Sequence, residues 1–461
     1  MNTTLSKLKK KLKQHLNQSG VYYGDMRFDE VTSTSIAISG NEVEDAKTFE
    51  NLGCCARVLK SNGWGFVCFS NPEDGIEKYI EAEKQSSLIK SKKIKLHHRP
   101  VIKKNYKIAA SDPADKYTLS DKFRICKKYH EILKKQKGLQ TVSVRYKDIK
   151  KIQTILTTDG CEVVSETSFC GISVAAIARD GGNIQTAYHS EGDFKGFTEN
   201  ILNKEKYCYD VAERARMLLK ASPVKPGRYT VVIDPQLCGV FTHEAFGHLS
   251  EADFVYENSN LKRIMKIGKR FGCDELNIID DPTIPYLAGS YMFDEECTKS
   301  KKNYLIKNGI LTGRLHSRET AESMQEEPTG NCRAINYGFQ PIVRMSNTYL
   351  DKGKYSFNEI ISKTENGIYA KGSLGGMTNT EQFTFSSAEA FLIENGKITK
   401  PLRDVILSGN VFETLKNIDM IGNDLKLHGG LGGCGKGAQS PLPVSDGGPH
   451  IRIKDVVIGG K

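Results

Sequence analysis

Two histidines five residues apart, His243 and His248, lie in the run Thr242-His243-Glu244-Ala245-Phe246-Gly247-His248. The run follows an apolar segment, Thr230 to Ile233, that reads as a strand. A regular helix turns by about 100° per residue, so a four-residue step leaves two side chains roughly 40° apart and a five-residue step roughly 140°. Imidazoles at the longer spacing cannot aim at one point from a regular helix. The helix must carry an extra residue as a π turn, or break near Gly247, where the missing Cβ suits a distortion. Distortions of this kind collect at functional sites.

The residue types in the run carry a chemistry of their own. Neutral imidazoles hold zinc, and a carboxylate beside them can take a proton from an activated water. His243 and His248 are therefore candidate ligands, and Glu244 is a candidate general base. A catalytic zinc site usually has three protein ligands and one open position, so a third ligand must come from elsewhere. Cys434 is the most conspicuous candidate. It sits in Gly429-Gly430-Leu431-Gly432-Gly433-Cys434-Gly435-Lys436-Gly437, a loop with almost no side-chain bulk that can approach a metal or a substrate closely. A glycine-rich turn with an incidental cysteine is the competing explanation of that loop. Imidazole and thiolate donors favour zinc over magnesium or calcium, although iron or cobalt would also fit them.

Other motifs accompany these two, in a fixed order. They include Ser33-Thr34-Ser35-Ile36-Ala37, Gly63-Trp64-Gly65-Phe66, Asp280-Asp281-Pro282-Thr283 and Gly289-Ser290-Tyr291. Leu315-His316-Ser317-Arg318-Glu319-Thr320, Pro328-Thr329-Gly330-Asn331, Leu407-Ser408-Gly409-Asn410 and Gly447-Gly448-Pro449-His450 follow. With them the chain resembles, over nearly its whole length, the TldD/PmbA family of metallopeptidases, and specifically the TldD-type subunit that carries the metal site. The resemblance implies that His243, His248 and Cys434 bind one zinc ion per chain and that Glu244 is the general base. It implies a dimer, either a heterodimer with a PmbA-type subunit lacking the site or a homodimer, with the site enclosed between subunits. Extended or unfolded peptides and small unstructured proteins are the expected substrates. His316, Arg318 and His450 lie in family-like motifs and are candidates for substrate or oxyanion contacts. Glu251 and Asp253 follow the metal helix and are candidates for orienting a ligand imidazole. Family members have also been labelled modulators of DNA gyrase. The alternative function is therefore a non-enzymatic regulator that binds peptide or nucleic acid, but a regulator has no need of a general base beside two ligands.

Charge is unevenly placed along the chain. The net charge is +11, yet residues 84–151 hold 21 Lys or Arg against 5 Asp or Glu, which leaves the remainder slightly acidic. Runs such as Lys90-Ser91-Lys92-Lys93 and Lys134-Lys135-Gln136-Lys137 make a basic surface. Such a surface can attract nucleic acid or an acidic peptide, but no recognition motif or stacking platform accompanies it. A solvated lysine-rich face is the expected reading, and nucleic acid is not an expected partner. The 12 cysteines are scattered with no Cys-x-x-Cys pair, which excludes a secreted disulfide framework and a zinc ribbon. No apolar run approaches the roughly 20 residues that span a bilayer, and the lysine-rich N-terminus lacks the apolar core of a signal peptide. A cytoplasmic location is expected. Leu5, Leu8, Leu12 and Leu16 mark one face of a short helix expected to dock on the first domain.

At 461 residues the chain exceeds what one core usually supports. The expected fold is α+β, with a mixed N-terminal domain over 1–225 for dimerisation and substrate enclosure. A mainly antiparallel β domain over 226–461 carries the short distorted metal helix. Strands are predicted at 31–39 and 54–59, and helices over 71–88, 120–137 and 199–220. Antiparallel strands are predicted over 141–189, turning at Asp159-Gly160 and Asp180-Gly181. Asn308-Gly309 and Asn395-Gly396 each sit between apolar strands, the strongest short hairpin signal, and the two hairpins look alike. Gly372-Ser373-Leu374-Gly375-Gly376-Met377 reads as a glycine-rich loop. The strand after it, Gln382-Phe383-Thr384-Phe385, could then offer an open edge to an extended peptide.

Overall fold

The N-terminal half is built on one long hairpin. A computed structural model describes residues 20–459 except 61, 90–92 and 109, together with 10–11 and 14–15. The leucine-marked helix at Leu5 to Leu16 lies outside these residues. Strands Tyr23–Ser39 and Glu42–Lys60 pair antiparallel along their whole length. They continue into a seven-stranded sheet. Gly63–Phe69 lies outside Glu42–Lys60, while Thr141–Thr157 and Glu162–Asp180 follow Tyr23–Ser39 on the other side. Glu162–Asp180 is shared by two neighbours, Lys103–Ile108 in parallel and Asn183–Asp193 antiparallel. The strands exceed the 31–39 and 54–59 predictions: the stretch 23–30 interleaves buried Met26 and Phe28 with buried charges at Asp25, Arg27 and Asp29, and the first part of Glu42–Lys60 is largely exposed and polar. Gly160 and Gly181 take φ of 94° and 56° at the two predicted turns.

Alternation then assigns the faces of this sheet. Even-numbered residues, among them Ile36, Val142, Val144, Tyr146, Ile172 and Val174, are buried beneath helices Leu119–Lys134 and Glu205–Lys220. Helix Gly75–Leu88 covers Met26, Phe28, Ala56, Val58 and Val67 in the same way. Its entry is set by Asn71, whose side chain accepts from Glu73 N, with Pro72 opening the first turn. The single helix expected over 199–220 is two helices, Phe197–Ile201 and Glu205–Lys220. Leu202 is extended and Asn203 takes φ of 59°, which ends the first helix before the second begins. The odd-numbered face turns toward the C-terminal half. Buried ion pairs join the two, Arg27 with Glu295 and Arg57 with Glu296 (3.3 Å), while Arg57 is also held within the sheet by Asp25 (2.7 Å).

In the C-terminal half five strands hydrogen-bond in a closed ring. Gly227–Ile233 pairs with Asn366–Asn379 and with Ile451–Gly459. Ile406–Asn410 links Ile451–Gly459 to Gln382–Glu394, which returns to Asn366–Asn379. The ring closes through residues 368–370, leaves the far part of Asn366–Asn379 beyond that pairing, and encloses a core that includes Val231, Ile233, Ile368, Phe383, Phe385 and Ile453. A second, six-stranded sheet holds Ile278–Asp280, Asn347–Leu350 and Ser445–Gly448 side by side. Both Asn-Gly hairpins form, with φ of 51° and 75° at Asn308-Gly309 and 51° and 71° at Asn395-Gly396. They are not equivalent elements, since one belongs to the six-stranded sheet and the other to the ring sheet. The segment Gly372–Met377, expected as a loop, is the far part of strand Asn366–Asn379. It pairs with Gln382–Glu394 across a register shift between Ser373 and Gly375. Its glycines permit that shift while main-chain bonding continues.

Candidate metal centre

Strand Gly227–Ile233 delivers the chain to Asp234, which caps the next helix by accepting from Leu237 N at 2.9 Å. Pro235 opens that helix, which runs to Phe241, and Phe241 packs edge-on against Phe383 and Phe385 of the ring. The helix then changes character. Thr242–Gly247 is a π turn in which His248 N bonds to His243 O, and His248–Ser250 is a 3-10 turn. The wider turn absorbs the extra residue, so His243 and His248 stand on one side of the helix. A Cβ on Gly247 would lie 2.1 Å from Met345 Sδ, so the buried Met345 side chain packs directly against the glycine and would have to shift to admit a larger residue.

Cys434 comes from a separate hairpin, Cys434–Lys436 with Gln439–Leu442. Arg344, fully buried, donates to Cys434 O at 2.7 Å and Gln439 O at 3.3 Å and fixes this hairpin. The preceding glycine loop lies against the N-terminal sheet. A Cβ on Gly429 would meet Gly192 O at 2.4 Å, and Leu431 N donates to Ser190 Oγ. The result is that one donor atom each from His243, His248 and Cys434 lie within 4.8 Å of one another. Cys434 Sγ is 3.5 Å from His248 Nε2, and the imidazoles are nearly perpendicular with centroids 5.3 Å apart. Glu244 Oε2 lies 3.8 Å from His248 Nε2.

The surroundings decide the charge states. Burial opposes charge on Cys434, but the nearby His243 and then His248 outweigh it and bring the thiol down to about 5. Burial likewise opposes charge on His248, yet Glu251 and Cys434 raise it to about 11. His248 Nδ1 bonds Glu251 Oε2 at 3.0 Å, which leaves Nε2 toward Cys434. Glu251 is wholly buried and in turn meets Lys436 Nζ at 3.2 Å. Lys436 also donates to Asp253 at 2.7 Å and Val343 O at 2.8 Å. Glu251 thus touches a candidate ligand directly, whereas Asp253 acts only through Lys436. His243 Nδ1 is buried with no hydrogen-bond partner among the described residues. A donor set of two imidazoles and a readily ionised thiol, with one ring nitrogen left unsatisfied, fits a bound transition metal.

These groups open into a cleft of about 580 Å³ walled by both halves of the chain. Glu244, His243, Cys434 and Asp446 line one side, and Arg145, Ser173, Tyr188 and Ser190 of the N-terminal sheet line the other. His316, Arg318 and His450 do not line it. His316 is buried against Thr320 Oγ1 (3.1 Å) and Glu326 (3.0 Å). Arg318 donates to His97 O and faces Asp159. His450 bridges Asp424 and the Tyr369 hydroxyl. Each is held by hydrogen bonds away from the cleft. Arg145, Asp446, Lys436 and Arg344 escaped the sequence reading. The alternation in Thr141–Thr157 gives Arg145 a face, but nothing local shows what that face meets.

Matches to family models cover almost the whole chain. Residues 24–87 match domain 1, 112–222 the central domain and 226–460 the C-terminal domain of the PmbA/TldA metallopeptidases. The chain therefore belongs to the PmbA/TldD metallopeptidase family. A metalloprotease from Synechocystis sp. is 39% identical over 96% of each chain. A zinc metalloprotease TldD homolog from Saccharolobus solfataricus is 28% identical, covering 96% of this chain and 97% of the relative. Among solved structures, a Thermotoga maritima protein described as a candidate modulator of a DNA gyrase shares the fold. Its TM-score is 0.81 at 23% identity, over 99% of this chain and 100% of that one. TldE from Thermococcus kodakarensis shares it with a TM-score of 0.75 at 17% identity, over the same shares. No helix among the described residues is long and apolar enough to cross a membrane.

Proposed function

We propose that the protein is a zinc-dependent peptidase of the TldD type that hydrolyses extended or unfolded peptides. The observation that carries this reading is the convergence of His243, His248 and Cys434, from elements far apart in sequence, beside Glu244 in a cleft between the two halves. His243, His248 and Cys434 would hold one zinc ion, and zinc when bound supplies Lewis acidity toward water and the peptide carbonyl. Glu244 takes the proton of the attacking water and delivers it to the leaving amine. Glu251 holds His248 through Nδ1, and Lys436 holds Glu251.

Substrate binding is supported by the strand Ser373–Asn379. One edge pairs with Gln382–Ser387, and the other carries no ladder among the described residues, while Ser373, Leu374, Gly375 and Gly376 line the cleft. An extended peptide can add to that edge through main-chain bonds, with little dependence on its side chains. Residues 226–461 act as the peptidase domain, and 1–225 closes over it and takes part in dimerisation. The partner is a PmbA-type subunit or a second copy of this chain, and the location is cytoplasmic.

Elemental mass spectrometry of the purified protein and of Cys434→Ala tests the centre. About one zinc per chain in the parent and far less in the variant is expected. Glu244→Ala should retain zinc and lose cleavage of an unstructured peptide. Equal metal in the parent and Cys434→Ala would remove Cys434 from the ligand set. No metal and no cleavage, even with zinc and a partner subunit supplied, would move the assignment to a regulatory binding protein.

A further inference from the structure

The basic stretch noted in the sequence resolves into two populations. Most cations neighbouring the strand Thr141–Thr157 have carboxylate partners. Lys122 meets Asp148 at 2.6 Å, Lys150 meets Asp115 at 2.7 Å and Lys151 meets Asp29 at 3.2 Å. Arg145 and Lys147 on the same strand have no side-chain hydrogen bond or ion pair among the described residues. Both belong to the odd-numbered face that turns toward the C-terminal half. Arg145 lines the cleft opposite Glu244 and Asp446. Lys147 lines an adjoining cavity of about 470 Å³ that meets the cleft at Leu431 and Gly432.

A guanidinium left unpaired on a concave wall, facing acidic groups, is suited to a carboxylate that arrives with a ligand. Side chains two residues apart on one strand face are roughly 6.7 Å apart, which is also the two-residue repeat of an extended peptide. Two successive cations can therefore follow an extended chain in register. Arg145 offers a planar fork and Lys147 a point charge, so the first sets geometry and the second adds attraction.

We propose that Arg145 and Lys147 form a carboxylate-recognition subsite of the cleft. Peptides carrying acidic side chains, or a free C-terminal carboxylate, near the scissile bond are then the preferred substrates. This rests on the peptidase reading above. It adds to that reading a side-chain preference that main-chain pairing alone cannot give.

The test uses the full-length zinc-loaded protein with its partner subunit where one is needed, and four matched fluorogenic peptides. One carries Glu residues and an amidated end, one is neutral and amidated, one is neutral with a free carboxylate, and one carries Lys residues and an amidated end. Wild type should favour the Glu or the free-carboxylate peptide over the Lys peptide by about tenfold in kcat/KM, the scale of one charge-assisted contact. Which of the two is favoured identifies the source of the carboxylate. Arg145→Ala should remove most of that preference, lowering kcat/KM for the Glu or free-carboxylate peptide several-fold more than for the neutral amidated peptide. Lys147→Ala should have a smaller effect of the same kind, and Arg145→Glu should favour the Lys peptide. The preference should shrink as salt rises. Equal losses on all four peptides would overturn the subsite, because they would mark a structural role. So would a wild-type enzyme that cleaves all four equally. If none is cleaved, the peptidase reading fails. The subsite is then judged by fluorescence-anisotropy binding of the same peptides to Glu244→Ala, where affinities independent of charge would overturn it.

Discussion

Replacing Glu251 by Gln should disturb both the stability of the C-terminal half and the metal centre. Glu251 is 0% exposed, and Lys436 Nζ is 3.2 Å away on a side chain only 7% exposed. At that distance, with an effective dielectric of about 20, the gross attraction is roughly 5 kcal/mol. Desolvation offsets much of it, but removing one partner strands the other charge, which costs about 3 kcal/mol in such pairs. Asp253 remains at 2.7 Å and keeps the loss toward the low end. The same substitution loosens His248, whose Nδ1 donates to Glu251. Loss of such an outer contact typically weakens metal binding by about 10- to 100-fold. Urea unfolding of Glu251→Gln, Lys436→Met and the double variant forms a double-mutant cycle. A coupling of about 1–3 kcal/mol is expected, since the double variant no longer buries an unpaired charge. Cobalt or zinc titration of the same proteins reads the second effect. Additivity within about 0.5 kcal/mol, with unchanged metal affinity in Glu251→Gln, would refute the relay from Lys436 through Glu251 to His248.

Metal affinity should rise with pH. In the metal-free protein His248 holds its proton up to about 11, so ligation at neutral pH must release it. Affinity then gains at least about tenfold per pH unit, more where His243 also holds a proton, since Cys434 raises it despite burial, and it falls more steeply still below the Cys434 value of about 5, where the thiol also protonates. Competition titrations across about pH 5.5–8 check this, and a flat profile would contradict it. Gly65→Ala would place a Cβ 1.8 Å from Ala82 O, a backbone atom in helix Gly75–Leu88 that cannot swing aside. A loss of about 3 kcal/mol is expected in urea unfolding, the upper end for overpacking, and a loss below about 1 kcal/mol would show that the helix shifts freely.

The spacing of His243 and His248 required a distorted helix before any fold was known, because the turn per residue is fixed by backbone geometry. The same local logic makes Asn308-Gly309 and Asn395-Gly396 turns, since both residues of such a turn take positive φ. It also caps the helix after Asn71. The charge imbalance of residues 84–151 was equally legible. The sequence did not reveal which of its cations lack partners, because pairing depends on which strand lies alongside. Cys434 reaches His248 across 186 residues only after the hairpin is pinned by Arg344 and Lys436. His316, Arg318 and His450 sit in motifs as distinctive as the metal helix, yet they are bonded elsewhere. Motif order identifies residues but carries no information about the direction a side chain takes. The cleft exists because the open face of one sheet meets the glycine loop and strand edge of another half of the chain. Steric closure of the ring and buried ion pairs between the halves decide that meeting, and both act between residues far apart in the sequence.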